Sequence, residues 1–322
     1  MRGRARLIPV LVLAVAVGWA GSAEAKPRLA GVFDLSGVPG QIARGPDGNI
    51  WVTISGSGES NTLAKITPGG NVTEYSPDDL VNPVGIGAGS DGNLWCTRNG
   101  GVVMVPPEDP DAAVAFDIAG ISQPNRIIGG PQDKLWTASA DQLVSFLPDD
   151  PNGFAAETID GMNARGIAAS GGKLWIADFG GQRIIRANTN GSVVKAYDVG
   201  GGPQGIARGP KKGAAYTNPG TDPQTVGRIE PGKNPRKTQT PMHDPFGINF
   251  APDGNWWIAN FAKDTLTILA RDGKDRRFRR LPEGSGPRQI TSGPNNTLWV
   301  SLEGSEQVAR IKGVKKRRKG NN

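Results

Sequence analysis

Cysteine and histidine are nearly absent from the sequence. Its 322 residues include one cysteine, Cys96, and one histidine, His243. A single cysteine excludes an internal disulfide and a redox cysteine pair, and no zinc-ligand spacing, phosphate loop or nucleophile motif is present. Cys96 directly follows a tryptophan that recurs along the chain, so we expect it to be a buried hydrophobic residue and not a nucleophile.

Long apolar runs are also lacking, except within residues 1–25. There three arginines precede an apolar stretch over residues 7–20, and Ala23-Glu24-Ala25 follows it. This order is typical of a secretory signal peptide, and the stretch is short for the alternative, a membrane anchor. We therefore predict cleavage before Lys26 and a secreted, periplasmic or cell-envelope location.

Excess charge is absent from the body of the chain, although the net charge is +7. Residues 26–311 together carry about −1, because the leader contributes +2 and residues 312–319 contribute +6. This balance argues against nucleic-acid binding by the folded body. We predict that residues 312–322 form a disordered basic tail, which could contact an anionic envelope polymer.

One sequence unit recurs seven times. Its markers are an isoleucine and, eight to ten residues later, an aromatic residue, and the aromatic residues lie 39 to 44 residues apart. The isoleucines are Ile42, Ile86, Ile127, Ile167, Ile206, Ile248 and Ile290, and the aromatic residues are Trp51, Trp95, Trp136, Trp175, Tyr216, Trp257 and Trp299. A period of this length indicates one supersecondary unit used repeatedly.

Each unit reads as four short strands. Turns such as Gly45-Pro46-Asp47-Gly48-Asn49 separate the first two strands, and apolar runs supply the third and fourth. The seventh unit lacks a fourth strand, but residues 29–35 have the pattern of one. We predict an all-β, seven-bladed β-propeller over residues 26–311, with four-stranded antiparallel blades and the N-terminal strand closing the last blade. An open solenoid would need polar capping repeats instead.

A propeller brings the starts of its inner strands to one mouth of a central channel. The position two before each repeat isoleucine lies there, and it is occupied by Gly40, Val84, Asn125, Arg165, Gln204, Phe246 and Arg288. We also place Asp178, Asn260 and Glu303 at this mouth, because they follow second strands. Arginine suits carboxylate or phosphate, so the set predicts a polar or anionic small-molecule or peptide ligand. The alternative is a solvated rim around a water-filled tunnel.

Acid–base and metal chemistry have fewer candidates. His243 lies in the loop that enters the sixth inner strand and could exchange protons near neutral pH, although a lone loop histidine is also simply exposed. Glu303 and Asp178 are the acids expected nearby, and Glu303 is the candidate ligand for a divalent metal.

Several motifs resemble the streptogramin lyase family, typified by virginiamycin B lyase, and its NHL-type relatives. They are Pro83-Val84-Gly85-Ile86, Gly45-Pro46-Asp47-Gly48-Asn49-Ile50-Trp51 and Val308-Ala309-Arg310-Ile311. The resemblance spans essentially the whole chain after residue 25. It implies a magnesium-dependent carbon–oxygen lyase that linearises a cyclic depsipeptide antibiotic by elimination, and hence antibiotic resistance.

The family's catalytic positions are mostly changed in this sequence. Where the family has Pro-His motifs in the last two blades, this chain has Phe246 and Arg288, and Gly286 replaces a preceding glutamate. Glu303 alone matches. Because arginine is a poor proton acceptor, we predict a ligand- or partner-binding module, monomeric in solution. The alternatives are a divergent lyase or lactone-opening hydrolase using Glu303, Asp178 and His243 around a metal, and an envelope protein tethered by its tail.

Overall fold

Seven four-stranded antiparallel sheets surround a central axis in the computed structural model, which describes residues 26–55, 62–119, 121–122, 124–238, 242–270 and 275–315. Strands are numbered in chain order and blades by their inner strand. Blade 1 comprises β2 (Val38–Arg44), β3 (Ile50–Ser55), β4 (Thr62–Ile66) and β5 (Val72–Tyr75). Blade 2 comprises β6 (Ile86–Ala88), β7 (Leu94–Arg98), β8 (Gly101–Val105) and β9 (Val114–Asp117). Blade 3 comprises β10 (Pro124–Gly129), β11 (Leu135–Ser139), β12 (Gln142–Leu147) and β13 (Asp150–Thr158).

The remaining blades repeat this order. Blade 4 comprises β14 (Ala164–Ser170), β15 (Lys173–Asp178), β16 (Arg183–Ala187) and β17 (Val193–Asp198). Blade 5 comprises β18 (Ile206–Arg208), β19 (Ala214–Asn218), β20 (Thr225–Ile229) and β21 (Arg236–Lys237). Blade 6 comprises β22 (Pro245–Phe250), β23 (Trp256–Asn260), β24 (Thr265–Leu269) and β25 (Asp275–Arg280). Blade 7 comprises β26 (Pro287–Gly293), β27 (Thr297–Leu302), β28 (Gln307–Lys312) and, outermost, β1 (Arg28–Asp34).

Helical structure in the described residues is limited to single 3-10 turns. They are Pro110–Ala112, Pro131–Asp133, Pro210–Lys212, Phe261–Lys263 and Glu303–Ser305. None of the helices in the described part of the chain has the length and apolar character needed to cross a bilayer. The all-β prediction is therefore confirmed.

The two ends of the chain share blade 7. Strand β1 pairs antiparallel with β28, and Phe33 lies opposite Val308. The Phe33 ring stacks on Trp299 at 5.5 Å between centroids, and the side chain of Gln307 donates a hydrogen bond to Asp34 Oδ1 at 2.7 Å. This confirms the predicted closure of the ring by the N-terminal strand and excludes the open solenoid.

The repeated Asp-Gly-Asn turns hold the tryptophans by hydrogen bonds. Asp47 Oδ1 accepts from the backbone amide of Asn49 at 3.1 Å and from Trp51 Nε1 at 3.1 Å. The same indole contact joins Trp95 to Asp91 and Trp257 to Asp253. Gly48 has φ +79°, a left-handed conformation that glycine adopts without steric penalty, as the sequence predicted for this turn. The motif therefore couples the shape of the turn to the placement of the core indole.

The core is a ring of seven clusters, one between each pair of adjacent blades. Between blades 2 and 3, for example, Trp95 packs with Ile127, Leu135 and Val144. The cluster that links blade 7 to blade 1 contains Trp299 and Val308 together with Ile50. Since no blade buries its apolar faces alone, each blade depends on both neighbours.

Blade 5 departs from the expected repeat. Tyr216 pairs with the repeat isoleucine Ile206. In blade 1 the residue that pairs with the repeat isoleucine is Val52, which directly follows the repeated tryptophan. Ala215, which directly precedes Tyr216, therefore occupies the position of the repeated tryptophan in blade 5. The alignment of Tyr216 with the six tryptophans is therefore wrong by one residue. In the next blade Trp256 replaces a smaller residue, and its ring packs in the same cluster as Ala215. A large side chain from blade 6 thus fills the space that blade 5 leaves.

Cys96 is fully buried, as predicted, and packs between blades 1 and 2. Burial in an apolar environment disfavours the thiolate and raises the pKa of the Cys96 thiol to about 12. A thiol in this state is a packing residue and not a nucleophile.

The folded region ends slightly later than predicted. Strand β28 runs to Lys312, and Val314 is buried, with its backbone amide donating to the carbonyl oxygen of Asn296 at 3.0 Å. The boundary of the basic tail at residue 312 is therefore too early. Residues 1–25 and 316–322 lie outside the described residues, so the signal peptide and the disordered tail remain predictions.

Removing the closing strand tests the ring. Deletion of residues 26–35 takes away the β1–β28 ladder and the Phe33 ring. We expect the free energy of unfolding to fall by about 5 kcal/mol or more, since each ladder hydrogen bond contributes about 1 kcal/mol and a lost aromatic side chain about 3 kcal/mol. Urea unfolding followed by tryptophan fluorescence measures the change. Deletion of residues 316–322 is the control, and an unchanged midpoint for the 26–35 deletion would contradict the closure.

Candidate ligand-binding site

The seven inner strands enclose a cavity of about 430 Å³ at the predicted channel mouth. Every residue that stands two positions before a repeat isoleucine lines it. These residues are Gly40, Val84, Asn125, Arg165, Gln204, Phe246 and Arg288. The circular arrangement thus brings together side chains that are far apart in sequence, as the repeat predicted.

Bulges in the inner strands add a second layer of channel residues. The pairing register shifts between Pro124 and Ile127 in β10 and between Pro287 and Ile290 in β26. Strands β2, β14 and β22 contain the same irregularity. A bulge interrupts the alternation of side chains and can turn two consecutive residues to one side of the sheet. The cavity is accordingly lined by the consecutive pairs Gly40–Gln41, Asn125–Arg126 and Arg288–Gln289.

Arg126 is the main channel residue that sequence reasoning missed. Its half-buried side chain lines the cavity, and it has no hydrogen-bond or ion-pair partner among the described residues. The surrounding wall disfavours the charged form and lowers the pKa of the Arg126 guanidinium. Four of the seven repeats have glycine at the position directly before the repeat isoleucine. The arginine at this position in the third repeat could therefore have identified Arg126 as a candidate binding residue.

Arg165 supplies a second guanidinium to the same cavity. Its Cζ lies 5.4 Å from the centre of the Phe179 ring, and no carboxylate pairs with it in the described part of the chain. Phe179, which the sequence did not single out, also lines the cavity and is 37% exposed. The ring holds the Arg165 side chain over an apolar surface, because cations are attracted to aromatic faces.

The charge of Arg288 is paired with a carboxylate within the site. Its Nη1 lies 2.8 Å from Glu303 Oε2, and its Cζ lies 4.4 Å from the centre of the Phe246 ring. Phe246 in turn meets Phe261 edge to face, with 6.1 Å between ring centroids. Glu303 starts the turn after β27, where its backbone amide donates to the carbonyl oxygen of Gly286 at 3.0 Å. This cluster is a packed ion pair beside the channel.

Two of the three predicted amide side chains, Asn125 and Gln204, lie where expected. Asn125 lines the cavity, and its Nδ2 donates to the carbonyl oxygen of Ala164 in the next blade at 2.6 Å. Gln204 lines it from blade 5, where its backbone amide is held by the carbonyl oxygen of Thr217 at 3.0 Å. Both therefore add polar groups to the wall between the arginines.

Asp178 and Asn260 are not among the cavity-lining residues. The side chain of Asp178 is completely buried and accepts hydrogen bonds from the backbone amides of Asn163 and Gly181 and from Arg183 Nε at 2.7 Å. Asn260 is equally buried, and its Nδ2 donates to Thr267 Oγ1 at 2.9 Å. Both residues brace the ends of second strands, so the expected exposure of these two side chains at the channel mouth is wrong.

His243 faces a different cavity, of about 560 Å³, at the outer part of blade 6. Its neighbours in that lining are Lys263, Arg280 and Glu283. The structure therefore does not bring His243 together with Glu303 and Asp178, the trio that the enzyme alternative requires.

Comparison with known proteins agrees with the fold. A family model described as the virginiamycin B lyase family matches residues 156–317. The chain belongs to this family. The structure called streptogramin B lyase has a TM-score of 0.76 at 18% identity, covering 89% of this chain and 97% of its own. The selenomethionine-substituted virginiamycin B lyase from Staphylococcus aureus has a TM-score of 0.76 at 17% identity, covering 89% and 99%.

A catalytically inactive virginiamycin B lyase from Staphylococcus aureus, in a structure with quinupristin, gives a TM-score of 0.77 at 17% identity, over 89% of this chain and 99% of that one. No curated protein sequence matches the chain significantly. At identities this low the structural likeness shows the fold alone.

The residues present do not fit the magnesium that the virginiamycin B lyase family implies. The described residues contain no group of three histidine, cysteine or carboxylate side chains able to hold a metal. Glu303 is engaged by Arg288, and a cation at Glu303 would be repelled by that guanidinium. Gly286 has φ +51°, and a Cβ there would lie 3.0 Å from the backbone nitrogen of Gly304, so this loop disfavours a glutamate.

A substitution separates the structural role of Asp178 from a ligand-binding role. Asp178→Asn removes the charge that Arg183 and two backbone amides surround. We expect the free energy of unfolding to fall by about 3 kcal/mol, because losing one partner of a buried pair leaves the other uncompensated. Chemical denaturation provides the measurement. Asp141→Asn, at an exposed turn position, is the matched control, and equal stability of the two variants would contradict this role.

Proposed function

We propose that this member of the virginiamycin B lyase family is exported and binds a small anionic molecule or peptide carboxylate at the channel mouth. One observation carries the proposal. Arg126 and Arg165 face one cavity of about 430 Å³ whose lining contains no carboxylate among the described residues. The predicted leader supports export, and the basic tail would add contact with an anionic envelope polymer.

The energetics favour an anionic ligand. Arg126 carries a partly desolvated charge with no protein partner in the described structure, and such a charge is unfavourable until an anion compensates it. Arginine forks donate paired hydrogen bonds to carboxylate or phosphate. A cavity of about 430 Å³ also lies within the roughly 300–1,000 Å³ range of small-molecule sites. Phe179 and Phe246 would contact an apolar part of the ligand.

The family's elimination reaction is a poor match to these side chains. Arg288 and Phe246 occupy the positions where the resemblance implies histidines, and neither accepts a proton at neutral pH. Glu303 is the remaining acid, and its pairing with Arg288 at 2.8 Å opposes proton transfer and metal binding. The arrangement supports binding without turnover.

Citrate serves as a carboxylate probe of the site. We expect isothermal titration calorimetry to show citrate binding that Arg126→Gln and Arg165→Gln each weaken by about tenfold or more, since a charged hydrogen bond contributes about 1.5–3 kcal/mol. Arg44→Gln is the control, because Arg44 lies exposed at the far end of inner strand β2.

Two results would contradict the binding site. One is citrate affinity unchanged in both arginine variants. The other is native mass spectrometry in which a co-purifying molecule remains bound after both arginines are replaced.

The lyase alternative is tested with quinupristin. We expect no ring-opened product by liquid chromatography, with or without millimolar magnesium chloride, because the proton-accepting positions are Phe246 and Arg288. The Staphylococcus aureus virginiamycin B lyase, assayed in parallel, is the positive control. Turnover that Glu303→Ala abolishes would establish a divergent lyase and overturn the proposal.

A further inference from the structure

Blade 5 lacks the indole against which other blades pack a basic residue. Three blades place a third-strand Lys or Arg over the tryptophan of the same blade. The pairs are Lys65 over Trp51 at 5.2 Å, Arg186 over Trp175 at 5.7 Å and Arg310 over Trp299 at 5.5 Å. In blade 5 the corresponding Arg228 lies opposite Ala215 in register. Its Cζ instead lies 5.9 Å from the ring of Trp256, in blade 6.

A cavity of about 210 Å³ lies beside Trp256, between blades 5 and 6. The lining includes Ala214, Trp256 and the turns that follow β18 and β20. Trp256 is held by a hydrogen bond from its Nε1 to the carbonyl oxygen of Arg208 at 3.1 Å. Since inner strands start at the channel mouth, these turns lie on the opposite face of the ring. The cavity is therefore separate from the site around Arg126 and Arg165.

Positive charge dominates this cavity. Lys211, Lys233 and Arg236 line it together with a single acid, Glu230. Glu230 is shared by two lysines, at 3.3 Å from Lys211 and 2.9 Å from Lys233, and their hydrogen bonds lower its pKa. The side chain of Arg236 has no ion-pair or hydrogen-bond partner in the described part of the chain. Three cations thus face one carboxylate, even when Arg228 is left out.

Two arginines also lie directly opposite each other on β20 and β21. Arg228 and Arg236 are register partners, and both line the cavity. Like charges that face each other across an antiparallel pair are destabilising. An anion beside Arg236 would offset part of this repulsion.

The cavity lies in the basic half of a strongly polarised ring. Residues 26–160 contain 7 Lys and Arg against 17 Asp and Glu, whereas residues 161–315 contain 23 against 12. Blade 5 alone, residues 206–237, has 7 against 2. Arg208, Lys212 and Lys237 are exposed on the same blade. Such a field raises the local concentration of anions and speeds their association.

We propose that the cavity between blades 5 and 6 binds a phosphoryl group. A phosphate monoester carries about −1.5 to −2 charge at pH 7 and offers three acceptor oxygens, which suits an excess of two cations. The volume of about 210 Å³ is below the roughly 300 Å³ of the smallest drug-sized sites. The cavity therefore holds the phosphoryl group itself, and any molecule that carries the group extends over the exposed basic surface of blade 5.

Inorganic phosphate is the first probe, and isothermal titration calorimetry measures its affinity. The protein carries Arg126→Gln and Arg165→Gln, so that phosphate binding in the channel does not contribute to the signal. We expect Arg236→Gln and Lys211→Gln each to weaken phosphate binding at least tenfold. Lys237→Gln is the matched control, since Lys237 follows Arg236 on the same strand and is not a lining residue. We expect its affinity to stay within twofold.

Vesicles containing phosphatidic acid identify the source of the group. Cosedimentation that Arg236→Gln abolishes would assign the site to a lipid phosphate, whereas phosphate binding without cosedimentation would assign it to a soluble phosphorylated molecule. Absence of phosphate binding, or affinity unchanged in both Arg236→Gln and Lys211→Gln, would overturn the proposal. Citrate binding to the channel of the parent protein is independent of these outcomes. The proposal for the channel site and the proposal for the phosphate site are therefore tested separately.

Discussion

The pairing of β1 with β28 is the constraint on which the rest of the structure depends. It joins residues at the two ends of the folded chain, and Phe33 gives Trp299 the outer-strand aromatic contact that blades 1, 2 and 4 make within their own sequence. Without that pairing, blade 7 would expose the edge of β28. With the ring closed, all seven inner strands surround one axis, and each interblade cluster is packed from both sides.

Closure also explains why the channel mouth can hold unusual side chains. The core clusters and the hydrogen-bonded turns hold the inner strands in place, and the residues at their starts contribute little to that packing. A bulge at this point, as in β10, turns Arg126 into the channel beside Asn125. The same freedom places Arg288, at a position where the family resemblance implies a proton-accepting histidine, in an ion pair with the retained Glu303.

The two proposed sites lie on opposite faces of the ring and have two features in common. Each is a cavity in which cationic side chains outnumber the acids, and each arises at a departure from the repeat. In the channel the departure is an arginine where most blades have glycine, and in blade 5 it is Ala215 where the other blades have tryptophan. Repetition keeps the fold stable, so a single blade can change its side chains and acquire a binding site.

The sequence by itself determined the architecture. The spacing of Ile42, Trp51 and their counterparts predicts the seven blades, and the isolated strand around Phe33 predicts the closure, because both depend on local patterns of turns and apolar residues. The ring of channel positions followed from the repeat alone.

Tertiary structure decided the direction of individual side chains. Alternation along a strand cannot show that a bulge turns Arg126 inward, or that the strand end at Asp178 is buried by its neighbours. Nor could the spacing show the shift that places Ala215, and not Tyr216, in the tryptophan position. These features depend on pairing and packing between strands, which a linear pattern does not encode.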